Sequence, residues 1–170
     1  MSEQYTLESL KNAIGKRQVD DESVEEERFE RVAQRYEQSV HALIDGIKKI
    51  VDQIPDFEVS LEDETEVFTT PAYPGYKREI EQRRLRVALD EDFVLFDPTA
   101  RAFVSAHGQV EIVASKPLTY MIEKVLYLVD DPQKPNGLYW GYRSVENLSG
   151  QPVRFTKEGL LRLLHTVFAG

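Results

Sequence analysis

The strongest constraint on this chain is a run of apolar residues that ends at a proline. Phe29, Ala33, Tyr36, Val40, Leu43, Ile47, Ile50 and Ile54 recur at alternating spacings of four and three, and Pro55 follows. Only a helix gathers such a set on one side, because a strand would scatter it over two faces. Ser23 and Glu26 stand three apart just upstream, the spacing of a capping box. The pattern predicts one helix over about 24–53, roughly 45 Å long at 1.5 Å per residue. Its seam can pair with a second copy or lie across the chain's own sheet. Ala33 and Gly46 weaken it as a zipper, and Val32 and Val51 broaden it, so the sheet is the favoured partner.

Upstream, Thr6 is placed to cap a shorter helix bearing Leu7, Leu10 and Ile14, with Gly15 placed to end it. Val19 to Glu22 reads as an acidic linker. The expected organisation is therefore a short helix and linker over 1–22, then a single domain over 23–170.

Past Pro55 the period changes from helical to alternating. Phe57, Val59 and Leu61 form half of a strand pattern, and Asp63-Glu64 reads as a turn into a second strand over Thr65–Thr70. Pro71 to Tyr76 is a proline-bound loop. Further short strands are expected at Leu85–Leu89, Phe93–Phe96, Ala102–Ser105, Val110–Ala114, Val125–Val129, Leu138–Val145 and Gln151–Phe155. Asp97-Pro98-Thr99-Ala100 carries turn chemistry. Ser115–Lys124 is read as a short helix, against a competing strand reading. Thr156 caps a last helix over 157–168, with Leu160, Leu161, Leu163, Leu164, Val167 and Phe168 on its inner side. The fold class is α+β: a long N-terminal helix, an antiparallel meander of about six to eight short strands over 57–155, and a C-terminal helix.

Charge and composition narrow the function. The chain has 170 residues, no cysteine and a net charge of −9. Thiolate metal sites and cysteine nucleophiles are excluded. The start, Met1 to Tyr5, lacks the basic and apolar pattern of a secretory signal, and no apolar run approaches bilayer length, so a cytoplasmic, membrane-free protein is expected. Residues 1–66 hold 18 acidic and 8 basic side chains, which argues against a nucleic-acid partner. A basic cluster at Lys77, Arg78, Arg83, Arg84 and Arg86 lies beside Tyr73 and Tyr76. Glu79 and Glu81 interrupt it, and the acidic helix offers it salt-bridge partners.

Catalytic patterns are missing. His41, His107 and His165 are scattered, Asp90-Glu91-Asp92 and Asp130-Asp131 lack the ligand spacing of a cation loop, and no nucleophile elbow or phosphate-binding glycine run occurs. No cofactor or metal is therefore expected. On Leu138–Arg143, Tyr139 and Arg143 point away from Trp140 and Tyr142. Tyr73, Tyr76, Tyr139 and Arg143 are the candidate partner surface, because these residue types are enriched in protein interfaces.

The expectation is a non-enzymatic interaction module, adaptor- or chaperone-like, that binds another protein or its own copy. The alternative is a small-molecule protein or enzyme holding an anion between sheet and helices through Arg84, Arg86, Tyr127, Tyr139 and Arg143.

Overall fold

The computed structural model describes residues 5–102, 106–148 and 150–170. A long helix α1 (Leu7–Val51) is followed by strands β1 (Glu58–Phe68), β2 (Arg78–Leu89), β3 (Asp92–Pro98), β4 (Gly108–Ala114), β5 (Val125–Asp130), β6 (Leu138–Tyr142) and β7 (Val153–Arg154). A second helix, α2 (Lys157–Phe168), closes the chain. The strands form one antiparallel sheet in sequence order, a meander. The expected α+β architecture is the observed one.

Residues directly opposite on neighbouring strands share a face, and the register therefore sorts the sheet into an inner and an outer side. Leu61, Leu85, Phe96 and Ile112 align in one inner row, and Val59, Val87, Val94 and Ala114 in the next. Most of these side chains are buried, with α1 and α2 packed over them. Ser60, Arg86, Leu95 and Val113 make an outer row, which neither helix covers.

The buried stripe of α1 is Phe29, Ala33, Tyr36, Val40, Ile44, Ile47 and Val51. Leu43 and Ile50, read as seam residues, are only half-buried, and Ile54 lies beyond the helix end. A straight helix drifts by ~20° per heptad against a strict 3.5-residue repeat. Over a sheet there is no second helix to impose a supercoil, so the stripe steps to Ile44 and Val51.

α1 also seals a sheet edge. β3 pairs with β2 only from Leu85 to Leu89, leaving the earlier half of β2 with β1 alone. Beside it, Glu37 Oε2 accepts the Glu81 N–H at 3.1 Å, and His41 Nε2 donates to the Glu81 carbonyl at 2.7 Å. Side chains of a helix thus stand in for the missing strand. Towards the other end of the strand order, on the same inner side, Trp140 Nε1 of β6 donates to the Ser39 carbonyl at 3.1 Å.

Several local expectations are corrected. α1 does not break after Ile14: it runs through Gly15 and the supposed linker as one helix of 45 residues, capped at Thr6 with Ser9 rather than at Ser23. A glycine inside a helix costs only ~1 kcal/mol, and nothing crowds Gly15. Asp63-Glu64 is not a turn but the middle of β1, an edge strand in which Asp63 reaches water and Glu64 pairs with Arg84. β2 begins at Arg78, so the four arginines of the basic cluster lie within a strand and Lys77 just before it. Residues 115–124 form neither helix nor strand. Backbone bonds from Ile122 N to Arg143 O and from Val145 N to Tyr120 O hold them against the chain after β6. The strand expected at Ala102–Ser105 falls mainly on 103–105, outside the described residues.

Candidate functional site: an exposed helical arm and the outer sheet face

The first half of α1 projects beyond the sheet. Every residue from Leu7 through Arg28 is exposed, and burial begins at Phe29. That free arm of 22 residues is ~33 Å long at 1.5 Å per residue. Its apolar residues are left in water: Leu7 is 69% exposed, Leu10 56% and Ile14 49%. At 100° per residue these three fall on one side of the helix, about a quarter turn from the stripe that enters the core.

Charge along the arm is split. Lys11, Lys16 and Arg17 accompany a single Glu8 in its first half, and six carboxylates follow from Asp20 to Glu27 with no cation among them.

At its base, Phe29 meets Tyr73 edge-on at 6.3 Å and Tyr76 at 5.4 Å between ring centroids. These two tyrosines fasten the β1–β2 loop to the point where the helix enters the core. A shallow notch of about 340 Å³ runs beside them, lined by Thr70, Pro71, Tyr73, Tyr76 and Arg101. The Tyr76 hydroxyl is raised above its usual range, first by desolvation and then by Glu25, Glu26 and Glu22 of the arm.

The basic cluster is largely engaged by carboxylates. Arg78 reaches Glu30 at 3.4 Å, and Arg83 lies 3.2 Å from Asp63 and 3.9 Å from Asp45, so α1 supplies two of the partners. Arg84 sits between Glu64 and Asp97. Desolvation raises the Asp97 carboxyl, and the Arg84 charge opposes that shift. Arg86 stacks over the Phe93 ring at 5.1 Å.

On the outer face, a groove of about 460 Å³ is lined by Ala106, Tyr127, Val129, Asp130, Arg143 and the segment from Gly150 to Pro152. It brings together two of the five residues expected to hold an anion, Tyr127 and Arg143. Arg84 and Arg86 lie strands away on β2. Within the groove region Glu123 already occupies both groups: one carboxylate oxygen accepts from the Tyr127 hydroxyl and the other from Arg143 Nη1 at 3.1 Å. Burial and that carboxylate push the Tyr127 hydroxyl up to about 12. Tyr139 is spent similarly, its hydroxyl donating to the Pro152 carbonyl at 2.9 Å and its ring lying under Arg154 at 4.4 Å.

The three histidines stay apart. His41 holds the β2 edge, His107 Nε2 lies 2.9 Å from Asp130, and His165 sits in the last turn of α2. Among the described residues, no group of three or more histidine, aspartate or glutamate side chains could hold a metal ion. Nor is any described helix long and apolar enough to cross a membrane.

Sequence reasoning placed Tyr139 and Arg143 together on the outer side, as period two requires, but missed the arm and Glu123. The arm was legible in principle, because Leu7, Leu10 and Ile14 share the spacing of the later seam. Glu123 was not, since its role depends on contacts made across the sheet. No protein-family model matches the chain, and no curated protein or solved structure matches it either.

Proposed function

We propose that this protein is a non-enzymatic interaction module, adaptor- or chaperone-like and cytoplasmic, that engages a protein partner through the free arm of α1. One observation carries the reading: Leu7, Leu10 and Ile14 stand exposed on one side of a helix with no cover from its own fold. Isolated helices are marginal in water and gain most of their stability from packing an apolar side. Clustered exposed apolar residues mark contact surfaces in soluble proteins. The outer groove supports a small anionic ligand less well, because Glu123 already takes the donors that such a ligand would need.

The test is photo-crosslinking of the full chain in the cells that make it, with a photoreactive residue replacing Leu10 and, as control, Val113 on the outer sheet face. A protein adduct formed from position 10 and not from 113 is the expected result. No adduct from position 10 would overturn the reading.

A further inference from the structure

We infer that the occupant of the arm is a second copy of the same chain, bound antiparallel. This rests on the arm being an interaction surface and adds what covers it.

The heptad spacing does not stop at Ile14. Continued at three and four, it passes through Arg17, Asp21, Val24, Arg28 and Arg31, all exposed. This outer seam lies roughly a third of a turn from the core stripe, so a helix laid along it points away from its own sheet.

Two such seams run antiparallel when residues whose numbers sum to 38 stand opposite. Arg17 then faces Asp21 of the second copy, and symmetry repeats the pair. Ile14 faces Val24, and the stems of Arg28 and Arg31 cover Leu10 and Leu7. On the flank, Lys11 approaches Glu25 of the other copy. The overlap therefore ends at Arg31, where the sheet domain begins.

Charge selects this direction. In a parallel pair the six carboxylates from Asp20 to Glu27 would lie along their own counterparts. Reversing one helix sets that acidic half against Lys11, Lys16 and Arg17. One like-charge meeting remains, Asp20 with its counterpart near the axis, close to both Arg17 side chains. With only Leu7, Leu10, Ile14 and Val24 as apolar seam residues, the pair is reversible and weakened by salt.

The experiment is light scattering after size exclusion on the full chain, over a dilution series at low and high salt. The mass is expected to rise with concentration from 19.6 kDa towards twice that value, and less readily in salt. Arg17→Glu and Asp21→Arg are each expected to weaken dimerisation about tenfold or more, and the double variant to restore it. Both positions lie outside the core, so folding is retained. A mass of one chain throughout overturns the inference, as does a dimer indifferent to these variants or one that the double variant fails to restore. The crosslink at position 10 separates the two readings. Adducts to a different protein from a monomeric chain sink the dimer alone, whereas a monomer without adducts sinks both.

Discussion

The Cδ2–Cε2 edge of the Tyr36 ring lies against Gly108 at the start of β4: a Cβ added to Gly108 would come within 2.3 Å of Tyr36 Cδ2. The absence of a side chain there lets α1 settle into the sheet. Gly108→Ala must displace a fully buried ring that also stacks on Phe68 at 5.1 Å. It is expected to destabilise the fold by ~1–3 kcal/mol, as overpacked core sites do, measurable by chemical denaturation.

The hydroxyl of the same tyrosine joins two strands to the helix. It accepts the Ala100 N–H at 2.8 Å and faces Gln82 Oε1 at 3.4 Å, while Gln82 Nε2 donates to the Pro98 carbonyl at 2.8 Å. Burial holds the hydroxyl far above its usual range, so it stays protonated. Tyr36→Phe keeps the ring but leaves the Ala100 N–H unpaired. The expected cost is ~1–3 kcal/mol, read from the denaturation midpoint at unchanged slope.

At the open half of β2, Glu37 and His41 replace strand partners for Glu81. Glu37→Ala should speed hydrogen exchange at the Glu81 amide while changing global stability by less than ~1 kcal/mol, since Glu37 lies near the surface. Equal exchange in both proteins would show that the helix does not guard this edge.

Asp131 gives the fold a pH dependence of known sign. Its carboxylate accepts from Arg154 Nη2 at 2.6 Å and from the Gln133 N–H at 2.9 Å, which together hold it below the usual carboxylate range. The folded pKa is thus below the unfolded one of ~3.9. Its stabilising contribution is full above that unfolded value and is lost as pH falls through the folded pKa. Asp131→Asn is expected to be less stable than the parent at neutral pH and to converge with it in acid. Parallel acid-unfolding curves would contradict this.

The elements legible in the sequence were those whose signal is local and whose surroundings agree with it. α2 begins at its Thr156 cap and ends where its apolar spacing places it, although Leu161 and Phe168 are only half-buried, and the hairpin strands around Asn136-Gly137 lie close to their expected positions. Errors came where composition stood in for structure. The acidic stretch before Ser23 resembled a linker because a fully solvated helix and a loop have the same polarity. Asp63 and Glu64 resembled a turn because an edge strand tolerates charges that a central strand would not. Leu118 and Met121 had helical spacing, yet their segment is fixed by backbone bonds to residues after β6, which no local pattern announces. In the candidate site, alternation along β6 correctly separated Tyr139 and Arg143 from Trp140. The partners those side chains had already taken, Arg154 and Glu123, depended on the strand order.

The unbroken course of α1 makes it a ruler as well as a surface. Its second half is clamped by the sheet, and one continuous helix joins that half to the first. The orientation of the tip is therefore set by Phe29, Tyr36 and Val40, far from anything the tip touches. Leu7 stands ~33 Å from the point where the helix meets the sheet and turns with it, so the reach of the tip is fixed by the count of residues between Leu7 and Phe29.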